Sequence, residues 1–542
     1  MSAYTGLIDL PGPAPVPCAL LERLAEEVQS VCRQPVDVLQ VAALLETSGI
    51  TDHSAMQRYG HASVFDLAES VMLRFSATTS TARSNLSDLP APDSRRQAAM
   101  DYLRGPLTLI PMVLLSVLIM VYQQYGQWSS TQVLAFSLSM VGSLLVTSGF
   151  VQAASRKGSS YLSQGYILAA RRVVGLVVGL GLVTVCLAAV VLAAAVTRIL
   201  AAPLDAVVTM TVAFVVLSCL WLAAGVLFLL GQVPWFGVGL AVGVGLIYVS
   251  LRGLSMLTGE LGWAVLAATV IGCGGALLVM GLVTRRTLAR RSAASPVGSH
   301  RIVLPAAPHL LVNLAPYFAY GVLYVVLVLS GHISGWLGAT PPGVDRMVGV
   351  TAVEVGLTIA LGGAILAGGV AERTIARFWR LVKVYQLEAS PAQPGQFSGH
   401  MRAFFGREFL RFAVILSLCS LLVTGVVLLF VAWSRAHGTA VLPWTHETSM
   451  ILALGVIGYG IMALGVFQCM FMITLSRPGM ANRAVMIGIA TTLTVGVIAG
   501  QLALYPYSAL GVVIGSLAFA LAARSSLQHL MRHADYFYFA SF

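Results

Sequence analysis

The chain has 542 residues; 58% are hydrophobic, only 10% are charged, and the net charge is +11. Soluble domains carry about 25% charged residues, so this composition excludes an ordinary water-soluble protein and requires lipid as solvent. Residues 1–105 hold 8 Lys/Arg against 12 Asp/Glu, whereas the rest holds 24 against 9. The basic excess therefore belongs to the apolar part, where membrane topology explains it better than nucleic-acid binding does.

The first element in chain order is a small acidic region. "MSAYTGLIDLPGPAPVP" lacks the basic and apolar stretches of a signal peptide. "CALLERLAEEVQSVC" has helical periodicity. "VDVLQVAALLETSGI" follows, with Ser48-Gly49 as a stop and Ile50 placed to pack back on the helix. "SVFDLAESVMLRF" opens with Ser63 and Asp66, a variant capping box. Residues 1–75 are thus expected to form a helical cytoplasmic domain. The polar, Pro/Ser-rich residues 76–105 read as a flexible linker.

After Pro106 come twelve apolar segments near the length of about 20 residues that crosses a bilayer. They cover 107–124, 131–152, 173–196, 206–229, 234–251, 261–283, 308–330, 347–370, 410–433, 449–475, 483–501 and 505–523. With a cytoplasmic N-terminus, twenty Lys/Arg after the first span lie inside, and four, Arg198, Arg252, Arg346 and Arg435, lie outside. That bias favours twelve spans with both termini cytoplasmic, in a bacterial-type cytoplasmic membrane. The longest basic loop, "TRRTLARRSAASPVGSHR", falls at the middle. The expected fold class is therefore all-α and polytopic. Residues 106–284 form an N-terminal six-helix bundle, 285–307 a basic cytoplasmic linker and 308–530 a C-terminal six-helix bundle, in the manner of parallel repeats.

Polar groups inside these segments are the candidate functional residues. In the seventh span His309, Asn313, Tyr317, Tyr320 and Tyr324 are spaced 4, 4, 3 and 4, which puts them on one helix face beside Pro316. Such a stripe suits a hydrated cavity that takes sugars, or a helix–helix seam in which the tyrosines satisfy each other. "VTAVEVGLTIALGG" holds Glu354, the one acidic residue well inside a span, with Thr351 and Thr358 on its face. Glu354 can carry a coupling proton or cation, bind a polar substrate, or serve as a structural carboxyl. Ser139, Ser143 and Thr147 read as packing residues, and Gln468 and Tyr459 as possible interior groups. Between the eighth and ninth spans, "AERTIARFWRLVKVYQ" and "MRAFFGREFLRF" mix Arg with Phe and Trp. Arg373, Arg377, Arg380 and Lys383 are placed there to meet lipid headgroups or a substrate phosphate at the cytoplasmic interface.

No cofactor, metal or catalytic set is expected. The seven cysteines show no metal spacing, and no GxxxxGK[ST], HExxH or GxSxG occurs. His437, His446 and Glu447 share one outer loop, more often solvated surface than an active site.

Six plus six spans, a basic central loop and the segments "PHLLVNLAPYFAYGVLYVVLVLSGHISGW" and "ERTIARFWRLVKVYQ" resemble the MOP superfamily of flippases and polysaccharide exporters, most of all Pel-type exopolysaccharide exporters. The resemblance covers residues 100–530. It implies two bundles in a V around a cavity lined by the first, second, seventh and eighth helices, with alternating access driven by an ion gradient. It would place Asn313, Tyr320, Tyr324 and Glu354 in that cavity. The expected function is a secondary transporter, not an enzyme, that exports or flips a polysaccharide or lipid-linked sugar. Its partners are the bilayer, the glycan and a cytoplasmic glycosyltransferase docked on residues 1–75. The alternatives are a membrane-embedded enzyme of envelope glycan assembly (a polymerase or acyltransferase) and a noncatalytic scaffold of a polysaccharide synthase.

Overall fold

The structure, a computed structural model, describes residues 18–31, 38–82, 102, 130–163, 167–199, 203–258, 261–293, 307–340, 346–388, 395–438 and 444–533. The predicted first span, 107–124, lies outside these residues. The chain divides into two compact units, Met1–Ser94 and Arg95–Phe542.

The first unit holds α1 (Cys18–Val31), α2 (Val38–Thr47), α3 (Asp52–Tyr59) and α4 (Val64–Ala82). Its turns follow local polar chemistry. After α2, Gly49 takes φ +85° and the Ile50 amide donates to the Leu45 carbonyl at 3.0 Å, the pattern of a glycine-terminated helix. Ile50 then packs against the core. Thr51 caps α3 in a reciprocal box with Ser54. Ser63 accepts the Asp66 amide at 3.2 Å, and Asp52 Oδ1 accepts the Val64 amide at 2.7 Å, which fixes the start of α4. Leu45, Leu67, Ala68 and Val71 are fully buried between these helices. α4 runs through Ala82, past the expected domain end and into the stretch read as linker. The remainder of that linker up to Asp101 lies outside the described residues.

The second unit is a membrane body. Eleven of its helices, among the described residues, are long and apolar enough to cross a bilayer. In lipid, helices satisfy every backbone group internally, so apolar runs of this length take this form. They are α5 (Ser130–Ser163), α6 (Ile167–Ile199), α7 (Leu204–Leu229), α8 (Val233–Thr258), α9 (Leu261–Ala293), α10 (Ala307–Trp336), α11 (Arg346–Glu388), α12 (Gly395–Ala436), α13 (His446–Thr474), α14 (Pro478–Leu502) and α15 (Ala509–Arg532). A 3₁₀ turn, Tyr505–Ser508, joins the last two.

α9 continues through Ala293, into the stretch read as the basic linker, and residues 294–306 lie outside the description. The segments between the eighth and ninth spans are helical over the described residues. They are continuous extensions of α11 and α12. Their aromatics turn inward: Phe412 stacks on Phe467 of α13 at 4.6 Å, and Phe405 meets Phe471 edge-on at 5.1 Å. Residues 130–293 pack mainly among themselves, as do residues 307–532, and α5 against α10 is the one extensive packing between the two sets among the described residues.

Candidate functional site

A polar cluster lies between α10 and α11. Glu354 Oε1 accepts the indole N–H of Trp336 at 2.7 Å and stands 3.1 Å from Nδ1 of His332. His332 and Trp336 are one helical turn apart on α10, so both reach across to the same oxygen. The His332 side chain is 8% exposed and that of Glu354 is 40% exposed. An indole donor and an imidazole nitrogen thus hold one oxygen of a carboxyl group that keeps one open side. Thr351 and Thr358 flank it on α11 and are exposed. Neither His332 nor Trp336 was singled out from the sequence, although both lie at the end of the tyrosine-bearing span. The readable signal was a His and a Trp four residues apart, a loop's length from an acid that the sequence places well inside a span.

The stripe on α10 does not face one environment. Tyr320 is 5% exposed, in the core of residues 307–532, with its ring 6.4 Å from that of Tyr324 and nearly parallel to it. Tyr317 lies instead under the guanidinium of Arg156 of α5, 5.8 Å from the ring centroid. Asn313 is exposed. The side chain of His309 lies outside the description. Pro316 stays within an unbroken α10, and its carbonyl accepts Asn482 Nδ2 at 2.9 Å.

The α5–α10 seam is confined to one end of the two helices. Phe150 packs edge-on against Phe318 with ring centroids 4.9 Å apart. Ala153 and Ala154 meet Leu310 and Leu314. A Cβ on Gly321 would stand 2.5 Å from the Ser148 carbonyl oxygen, so the backbones touch only because this residue has none. Towards their other ends the helices turn to different neighbours. Ser139 of α5 donates to the Met210 carbonyl of α7 at 2.8 Å, while the Val328 carbonyl of α10 accepts Tyr459 of α13 at 3.2 Å. Ser143 and Thr147 bond within their own helix, and Gln468 is buried with its amide on Leu464.

Arg377 is engaged within the protein. Its Nη1 lies 2.8 Å from Glu408 Oε1, Thr374 donates to the other oxygen at 3.4 Å, and Arg411 stands at 4.0 Å. Arg373 sits 4.8 Å over the ring of Tyr102. The side chains of Arg380 and Lys383 lie outside the description. His446 and Glu447 open α13 behind its Thr445 cap, whereas His437 bonds to the Trp433 carbonyl at the end of α12. No group of His, Cys, Asp and Glu among the described residues is placed to hold a metal.

No protein-family model matches this chain and no curated protein sequence is similar to it. Solved structures do resemble it. A mutant of the Vibrio cholerae MATE transporter VcmN is 17% identical with a TM-score of 0.57, over 82% of this chain and 97% of that one. A MOP superfamily transporter from Pyrococcus furiosus is 13% identical with a TM-score of 0.56, over 80% and 95%. An outward-facing multidrug resistance MATE family transporter of the MOP superfamily is 14% identical with a TM-score of 0.55, over 80% and 96%. The membrane body therefore has the polytopic helical fold of MATE and MOP superfamily transporters.

Proposed function

We propose that the chain is a secondary transporter working by alternating access, and that it moves a polysaccharide or lipid-linked sugar outward across the cytoplasmic membrane, in the manner of Pel-type exporters. The observation that carries this reading is Glu354, a carboxylate within a membrane-spanning helix held by His332 and Trp336 and open on one side. Intramembrane carboxylates are costly and commonly serve ion or substrate movement. The likeness of fold to known transporters supports the class. The chemistry around Glu354 supports the cargo: an indole offers its face to a sugar ring, and a carboxylate with a free edge and flanking threonines accepts and donates to hydroxyls.

In this reading both termini are cytoplasmic, and the halves 106–284 and 308–530 rock about the α5–α10 seam. Thr351, Glu354, Thr358, Asn313 and Tyr317 border the path, with His309 and the Tyr320–Tyr324 pair behind them. Arg373, Arg380 and Lys383 meet headgroups or the substrate phosphate. The acidic first unit docks a cytoplasmic glycosyltransferase.

Reconstituted vesicles test the proposal. A lipid-linked oligosaccharide with a fluorescent tag should cross the bilayer, as read by loss of quenching from an impermeant reductant, and the same lipid without sugar should stay. Equal movement of both, or of neither, would remove the glycan from the account.

A further inference from the structure

The seam between the two halves is tied off by one guanidinium. Arg156 Nη2 donates to Ser476 Oγ at 2.6 Å and to the Thr474 carbonyl at 3.2 Å, and the same group lies over the ring of Tyr317. Arg156 comes from α5 of the first half, and all three partners belong to the second. Ser476 holds φ +57°, a conformation that residues with a Cβ seldom adopt, in the turn that ends α13. That turn is fixed by the Ser476 amide on Ile473 at 3.0 Å and the Arg477 amide on Met472 at 2.9 Å. Asn482, one turn into α14, clamps the Pro316 carbonyl of α10. The acceptors for Arg156 thus ride on one body with α10, and Arg156 reaches them from the other.

The chemistry of these contacts matters. All the acceptors are neutral. Pulling apart a buried salt bridge strands a charge on each side at high cost. Releasing Arg156 strands none on the second half, and a long arginine at the end of a spanning helix regains water and headgroup oxygens. Such a contact holds firmly and can still let go.

We propose that Arg156 is the latch of one gate: its bonds to Ser476 and Thr474 hold the halves closed at this end, and they break when the protein exchanges to the state closed at the other end. The proposal rests on the alternating-access reading and goes beyond it by naming the residue that sets the ratio of the two states.

The test uses the full chain in membrane vesicles, with native cysteines replaced and a single cysteine at one of two places. Leu314 is 3% exposed inside the seam. Thr351 is exposed near Glu354. Labelling rates with an impermeant maleimide are measured from each side. Losing a charge-assisted hydrogen bond shifts a two-state ratio by about tenfold or more. Arg156→Ala should therefore raise labelling at Leu314→Cys from the Arg156 side about tenfold and slow labelling at Thr351→Cys from the opposite side. Ser476→Ala, which leaves the arginine and the backbone in place, should shift both in the same directions by less. Unchanged rates at both places in correctly inserted variants would overturn the latch. So would a rise at Leu314 with no fall at Thr351, because mere loosening of the seam does that. The readout is conformation, not flux. Reciprocal labelling in a protein that moves no sugar would leave the latch standing and sink the glycan reading instead.

Discussion

Adding one methyl group at Gly321 should open the seam. A Cβ there would stand 2.5 Å from the Ser148 carbonyl oxygen and 2.9 Å from both Gly149 Cα and Gln152 Cγ. Ordinary contact distances are about 3.5–4.0 Å. The Gln152 side chain can swing away, but the α5 backbone cannot, so the helices must part by roughly 1 Å. Overpacking of this kind costs about 1–3 kcal/mol. The cost falls only on the state in which α5 and α10 touch, so the open state gains by about 5- to 150-fold. Spin labels at Ser159 of α5 and Arg483 of α14, both exposed, measure the distance across this end. In Gly321→Ala the long-distance population should grow at the expense of the short one. Gly245→Ala is the control, since its methyl would meet nothing within 4 Å. An unchanged distance distribution together with unchanged thermal stability in Gly321→Ala would refute the packing described for the seam.

Three further expectations concern other parts of the molecule. Leu45→Ala removes a fully buried side chain from the first unit and should cost about 2–5 kcal/mol; in the full chain, limited proteolysis should then cut residues 18–82 while leaving the membrane body whole, and equal resistance to wild type would contradict the core. Glu408→Ala leaves Arg377 and Thr374 without their carboxylate; because Arg377 is a third exposed, the cost should be only about 1–2 kcal/mol, read as a lowered melting temperature, and a stabilised protein would show that the pair is a burden. Trp336→Phe keeps the ring and deletes the N–H donated to Glu354; yield and melting should hold while transport falls about tenfold, and transport at the wild-type rate would remove the indole from the site.

Much of the fold was legible because lipid enforces it. Apolar length marks a span, and eleven of the twelve spans read from the sequence correspond to described helices. The turn at Ser48-Gly49 and the Ser63 cap were equally readable, since both are local. α3 was missed, although Thr51 and Ser54 carry its capping signal, because a helix of eight residues with a single buried side chain shows little periodicity. The inward packing of the α11 and α12 extensions was not legible for a related reason. Alternating Arg and Phe reads as an interfacial surface, and only the packing shows the aromatics turned onto α13. The site was half legible. Glu354 stands out by type alone, but its partners His332 and Trp336 come from another helix, and their four-residue spacing becomes a signal only once the two helices are known to pair. Spacing likewise put Tyr317 and Tyr320 on one face, yet one meets Arg156 of the other half and the other is buried in the core of its own. Local spacing fixes a face, while neighbours decide what that face touches.

The most direct test is gradient-driven flux through the wild type and Glu354→Gln, a change that keeps size and one acceptor oxygen while removing the charge. Vesicles are loaded with tagged lipid-linked oligosaccharide, and an inward or outward proton or sodium gradient is imposed. The account predicts that one of these gradients drives net movement in the wild type, and that Glu354→Gln, folded and inserted, exchanges sugar more slowly and no longer responds to the gradient. A response in Glu354→Gln equal to that of the wild type would contradict the role given to this carboxylate.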